Sequence, residues 1–92
     1  MSVVIVGGND RMIYQYESLC KEHKCKAKIF TQPSGNLRSK IGNPDLLILF
    51  TNTVSHKMVV TATQEANKNN IKIARSHSSS TTALKKILAE NT

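Results

Sequence analysis

The chain has 92 residues and a formal net charge of +7, from 13 lysine and arginine residues against 6 aspartate and glutamate residues. This length predicts a single α/β domain over residues 1–92, and because aromatic residues make up only 4% of the chain, its core is expected to be aliphatic. No apolar run approaches the roughly 20 residues of a membrane span, and the early polar turn is unlike a secretory leader. We therefore expect a cytoplasmic protein with no membrane partner.

Apolar strand-like segments alternate with helix-like segments in the first half of the chain. The β-branched segment SVVIV predicts a first strand, and residues 12–23 carry apolar side chains at spacings of three and four, which indicates a helix. Asn9 or Asp10 is a suitable N-cap for this helix. KAKIF predicts a second strand, residues 36–41 a short helix, and DLLILF a central strand that is covered on both faces.

The second half continues the alternation. A helix that runs to about residue 69 is predicted from its inner apolar stripe, which consists of Val54, Met58, Ala62 and Ala66. The segment IKIA predicts a fourth strand, and residues 78–89 are predicted to form the last helix. This order favours a three-layer sandwich with a four-stranded parallel sheet in the order 2-1-3-4, flavodoxin-like or half-Rossmann. Lys72 marks the fourth strand as an edge, and an exposed sheet edge or a helix face is expected to support a homodimer.

Two cysteines flank a histidine in the string CKEHKC. Cys20, His23 and Cys25 resemble part of a zinc site, but structural zinc needs a fourth ligand that no second pair supplies nearby. Cys20 also fits the helix stripe and Cys25 begins a strand pattern, so we expect both to be buried thiols.

Polar loops follow the predicted strands, and in a parallel sheet these loops share one edge. Ligands bind at this edge near the point where strand order reverses, which here lies between the first and third strands. The loops are GGNDR, TQPSG, TNTVSHK and RSHSSS, and together they hold glycines, cations, hydroxyl groups and two of the three histidines. The predicted ligand-binding residues are Gly7, Gly8, Asn9, Asp10, Arg11, Thr51, Asn52, Thr53, Ser55, His56, Lys57, Arg75, Ser76, His77, Ser78, Ser79 and Ser80.

Three features suit this edge to a small anion. Helix N-termini offer unpaired N–H groups and a partial positive charge. Gly7 and Gly8 let the backbone approach a ligand closely. Arg11, Lys57 and Arg75 supply full charges, and arginine can hold a phosphate or carboxylate through two hydrogen bonds.

Other interpretations of these loops remain open. GGNDR also fits a plain strand-to-helix turn, SSSTT fits an N-cap with surplus hydroxyls, and neither GxGxxG nor a Walker A motif is present. The pairs Ser55-His56 and Ser76-His77 are each expected at the start of a helix, but adjacent residues on a turn seldom point at each other as a nucleophile and base must. We therefore expect a non-enzymatic binding or regulatory module, with no catalytic residues, for a nucleotide or another phosphorylated metabolite.

Two alternatives belong to other functional classes. The basic surface favours anionic partners, so nucleic-acid binding is one alternative, although the lysines are scattered and aromatic platforms are few. A metal site or small enzyme built on His56, His77 and Asp10 is the other, because imidazole and carboxylate groups suit zinc or iron.

The strings VVIVGGNDRM, DLLILFTNTVSHKM and RSHSSSTTALKKIL resemble a family of bacterial proteins of about this length that is catalogued as a domain of unknown function. The shared features are the VGG turn, the VSH after the third strand, and an arginine followed by serines before the last helix. The resemblance implies a half-Rossmann or flavodoxin-like fold and a site, but no reaction. The matching positions are Gly7, Gly8, Val54, Ser55, His56, Arg75, Ser76, Ser78, Ser79 and Ser80.

Overall fold

A sheet of four parallel strands in the order β2-β1-β3-β4 organises the described chain, as a computed structural model covering residues 1–32 and 36–92 shows. The predicted sheet order is confirmed. The strands are β1 (Ser2–Val6), β2 (Lys26–Phe30), β3 (Leu46–Phe50) and β4 (Lys72–Ser76). The helices are α1 (Ile13–Glu22), α2 (Leu37–Ile41), α3 (His56–Lys68) and α4 (Thr81–Asn91), and a 3-10 turn over Asp10–Met12 precedes α1.

The two central strands divide the core into two layers. Every residue of β3 is fully buried, which explains its uninterrupted apolar run. Alternate side chains point to opposite faces, so Ile48 and Phe50 pack with α1 and α4, whereas Leu47 and Leu49 pack with α2 and α3. The three-layer sandwich expected from the sequence is confirmed. In the described part of the chain, no helix has the length and apolar character that crossing a bilayer requires.

Both cysteines belong to the end of α1. Lys24 has a positive φ of 58°, and the Cys25 N–H donates to the Cys20 carbonyl at 2.8 Å, which is a Schellman cap. Such caps bring the two flanking side chains into apolar contact, and α3 ends in the same way, with Ile71 donating to Ala66. Both thiols are free and buried, as expected, and burial raises the pKa of Cys20 to about 11.

Local hydrogen bonds set several element boundaries. The Ser80 hydroxyl accepts from the Ala83 N–H at 3.1 Å, so α4 starts at Thr81 and not at Ser78. The expectation that Ser76-His77 begins a helix is therefore wrong, because Ser76 ends β4. Ser55 does cap α3, and Asn9 caps the 3-10 turn before α1. The loop predicted after β2 extends over residues 33–35, which lie outside the described residues.

Candidate functional site

An open cleft of about 390 Å³ lies where the carboxyl ends of β1, β2 and β3 meet. Strand order reverses between β1 and β3, so the cleft occupies the place that the sequence predicts for a ligand. Its lining residues are Gly8, Asn9, Asp10, Thr31, Gln32, Thr53, Ser55 and Met58. Five predicted positions, namely Gly8, Asn9, Asp10, Thr53 and Ser55, thus come together here.

The turn after β1 uses most of its backbone N–H groups internally. The Gly7 N–H donates to the Phe30 carbonyl at 2.8 Å, and the Gly8 N–H donates to Thr53 Oγ1 at 2.7 Å. Further along, the Arg11 N–H donates to the Asn9 side chain at 2.9 Å. These donors are occupied, so the turn is not a phosphate cradle of the glycine-loop kind.

The two glycines are required by packing. Gly7 and Gly8 have positive φ angles of 102° and 95°. A Cβ on Gly7 would lie 2.5 Å from Val54 Cγ1, and one on Gly8 would lie 2.7 Å from Tyr16 Cε2. Their conformational freedom therefore serves close contact within the protein, where the sequence predicted close contact with a ligand.

Tyr16 joins two of the loops at this edge, a role that the sequence did not reveal. Its buried hydroxyl donates to the Ser79 carbonyl at 2.6 Å, and the Asn9 N–H approaches the same oxygen at 3.4 Å. The ring also packs 5.5 Å from that of Phe50. The sequence placed Tyr16 in the apolar stripe of α1, and that pattern carries no signal for the hydroxyl group.

Asp10 turns toward the end of β2. Thr31 Oγ1 donates to Oδ1 of its carboxylate, and Gln32 Nε2 donates to Oδ2 at 2.6 Å. The hydrogen bond from Thr31, followed by that from Gln32, lowers the pKa of Asp10. Thr31 and Gln32 line the cleft but were absent from the predicted site; the only signal for them is that their loop follows a strand of the same sheet.

The start of α3 forms the opposite wall. The Ser55 hydroxyl accepts from the Met58 N–H at 3.2 Å and caps the helix. The N–H groups of His56 and Lys57 belong to the first turn and have no carbonyl within the helix to bond. Both side chains are exposed.

The hydroxyls of the serine-rich loop hold that loop together. Ser76 Oγ donates to the Ser78 carbonyl at 2.8 Å, and Ser78 Oγ donates to Ser80 Oγ at 3.0 Å. His77 Nδ1 lies 3.5 Å from Thr51 Oγ1. The hydroxyls of Ser76, Ser78 and Ser80 thus have partners within the chain.

Several predicted site residues do not line the cleft. Arg75 and Ser76 line a separate depression of about 360 Å³ beside α4, together with Lys86 and Glu90. The positions that line neither hollow are Gly7, Arg11, Thr51, Asn52, His56, Lys57, His77, Ser78, Ser79 and Ser80. Among residues 1–32 and 36–92, no three His, Cys, Asp or Glu side chains are grouped to hold a metal ion, so His56, His77 and Asp10 are not assembled as ligands.

The fold and the cleft define a small parallel α/β domain of the Rossmann type. A de novo designed Rossmann fold protein shares this fold, with a TM-score of 0.63 and 13% identity over 96% of this chain and 93% of the design. The chain belongs to the family described as "Uncharacterized protein conserved in bacteria (DUF2325)", whose model matches residues 2–91. The family resemblance drawn from the sequence is thereby confirmed. No curated protein matches this sequence.

Proposed function

We propose that the protein is a non-enzymatic binding or regulatory module whose cleft takes a small anionic ligand, such as a nucleotide or another phosphorylated metabolite. The observation that carries the proposal is the cleft at the β1/β3 reversal, bounded on one side by the first turn of α3. Its volume of about 390 Å³ falls within the range of small-molecule sites.

The first turn of α3 is the best support for an anionic group. The N–H groups of His56 and Lys57 are unpaired within the helix, and the helix dipole places partial positive charge there. His56 and Lys57 do not themselves line the cleft, but they lie between Ser55 and Met58, which do. The exposed Lys57 side chain adds a full charge next to this wall. In contrast, the N–H groups of Gly7, Gly8 and Arg11 in the turn after β1 already donate within the protein, which favours α3 as the place of the anion.

The hydrogen bonds of the candidate nucleophiles favour binding over catalysis. The Ser55 hydroxyl caps α3, and the contact between Thr51 and His77 lies outside the lining of the cleft. A nucleophile needs a base within hydrogen-bond reach and a group that orients the base. The described residues that line the cleft include no histidine to act as that base.

Thermal unfolding with and without inorganic phosphate, at matched ionic strength, tests this function. We expect phosphate to raise the midpoint of the wild-type protein and of Lys68→Glu, but not that of Lys57→Glu. Lys68 is a matched control because it is exposed at the opposite end of the same helix. A wild-type protein that does not respond to phosphate, or a response that persists in Lys57→Glu, contradicts the proposal.

A further inference from the structure

The carboxylate of Asp10 lies in the cleft and is held by two neutral donors. Thr31 Oγ1 bonds one oxygen, and Gln32 Nε2 bonds the other at 2.6 Å. Neither partner is charged, so these contacts fix the position of the carboxylate without neutralising it. Each carboxylate oxygen can accept more than one hydrogen bond, so Asp10 retains acceptor capacity toward the cleft.

This negative charge gives the cleft two unlike ends. A phosphate beside Asp10 would meet a like charge, whereas a phosphate at the first turn of α3 would meet N–H groups and Lys57. A ligand that fills the cleft must therefore present hydrogen-bond donors, and no negative charge, to Asp10.

Hydroxyl groups fit the Asp10 end better than an ammonium group does. An ammonium group only donates, so it is best surrounded by acceptors. The side chains around Asp10 mix both roles: Thr31 carries a hydroxyl, and Gln32 carries an amide with its own donor and acceptor. A hydroxyl can donate to the carboxylate and accept from such neighbours at once, and a vicinal diol can reach both carboxylate oxygens.

We infer that Asp10, with Thr31 and Gln32, binds the hydroxyl groups of a sugar, so that the ligand class is a phosphorylated sugar or a ribonucleotide. This inference rests on the proposed function, because it assigns the anionic end of the same ligand to the start of α3. Asp10 is then the residue that distinguishes a sugar phosphate from a bare phosphate.

Titration calorimetry with four probes tests the inference: ribose phosphate, deoxyribose phosphate, inorganic phosphate and phosphoethanolamine. For the wild-type protein we expect ribose phosphate to bind about tenfold more tightly than deoxyribose phosphate, since a hydrogen bond to a charged group is lost in the latter. Asp10→Asn removes this preference and keeps the affinity for inorganic phosphate. Glu17→Gln, which removes one negative charge from an exposed position on α1 that does not line the cleft, keeps the preference.

The outcomes separate this inference from the proposed function. Equal binding of all phosphates to the wild-type protein overturns the sugar assignment and leaves the anion site intact, and so does a ribose preference that survives in Asp10→Asn. Tighter binding of phosphoethanolamine than of ribose phosphate would also overturn the sugar assignment, because it would show that Asp10 binds an amine. If no phosphate binds at all, both proposals fail. The comparison of ribose with deoxyribose uses the unaltered protein, so it stands even if a variant folds poorly.

Discussion

Gly8 and Tyr16 are the residues whose contacts most directly shape the cleft wall. Gly8 has a φ of 95°, and the space where its Cβ would lie is occupied by the Tyr16 ring. Tyr16 in turn holds Asn9 and the Ser79 carbonyl through one hydroxyl. The position of the turn after β1 is thus set by a side chain from α1.

Gly8→Ala is expected to reduce the free energy of unfolding by about 2 kcal/mol or more, because strain at positive φ is combined with a clash against Tyr16. Gly42→Ala is the matched control, since Gly42 also has a positive φ of 65° but has no atom within 4 Å of the added Cβ. It should show the backbone strain alone, about 1–3 kcal/mol, and should therefore lose less than Gly8→Ala. Urea unfolding measures both, and equal losses would contradict the contact with Tyr16.

Cys20 gives a stability change in alkaline solution. Burial, followed by the neighbouring Cys25 and Glu17, raises its pKa from 9.0 to about 11. The folded protein therefore keeps a proton that the unfolded chain releases, so this contribution is complete below pH 9.0 and is lost as pH rises toward about 11. Stability measured across this range should fall more steeply for wild type than for Cys20→Ala. Parallel curves would show that Cys20 does not titrate differently in the folded state.

At the scale of elements, the apolar patterns predicted the strands because residues buried in the sheet must be apolar, which leaves a recognisable pattern in the sequence. The run DLLILF is too short for a typical buried helix and favours a strand that is covered on both faces, and β3 is that strand. The predicted start of α4 at Ser78 was wrong because several consecutive hydroxyl residues can each serve as an N-cap. The structure selects Ser80, next to Ser79, whose carbonyl is held by Tyr16, and this long-range contact has no trace in the local pattern.

The strand order predicted from the sequence was enough to predict where the cleft lies, but not the side-chain contacts within it. Parallel strands bring the ends of β1 and β3 to one edge, and Gly8, Asp10, Thr53 and Ser55 therefore lie beside the cleft. The turn of Asp10 toward Gln32 depends on side-chain hydrogen bonds between separate loops. Arg75 was grouped with the other cations because it ends a strand pattern, but it borders a different depression next to α4.

Two helix caps separate a structural role from a binding role. Ser55→Ala and Ser80→Ala each remove a hydroxyl that accepts an N–H of the first helical turn, so each should lower stability by about 1 kcal/mol. Only Ser55 lines the cleft, so only Ser55→Ala should also reduce the thermal shift caused by phosphate. Equal phosphate shifts in the two variants would place the anion away from α3.

For the whole molecule, β4 is one of the two edge strands, the other being β2, and a second copy that pairs with its exposed side would extend the sheet. The Thr51 N–H donates to the Ser76 carbonyl, so Ser76 and alternate residues before it direct their backbone groups toward β3. Ile73 and Arg75 direct theirs away from the sheet. A homodimer through this edge stays a prediction. The net charge of +7 on each copy opposes such pairing, so added salt should strengthen it.

Arg75→Pro tests pairing through this edge. Proline removes the outward N–H of Arg75 without removing a hydrogen bond to β3, so the variant should fold but remain monomeric. Arg75→Ala, which keeps that N–H, should form the dimer as the wild-type protein does. Light scattering after size-exclusion chromatography measures the mass of all three. If Arg75→Pro still forms a dimer, the interface lies on another surface, such as a helix face.

The overall charge also keeps the nucleic-acid alternative testable. Lys26 and Lys28 are exposed on β2, and Lys85 and Lys86 are exposed on α4. Binding through such a surface would weaken steeply with added salt, because counterions are released from the phosphate backbone. Binding in the cleft would depend on Lys57 and Asp10 instead.

Tyr16 and Ser79 are 63 positions apart in the chain, yet one hydrogen bond joins them. During synthesis, the Tyr16 hydroxyl cannot donate to the Ser79 carbonyl until the loop beyond β4 has emerged from the ribosome. A shortened protein that ended with β4 would contain the sequence of all four strands but would lack Ser79. Tyr16, which contacts the Asn9 N–H, would then have lost its hydrogen bond to the Ser79 carbonyl. The Asn9 turn, which lines the cleft, therefore gains the support of this hydrogen bond only after residue 79 has been synthesised.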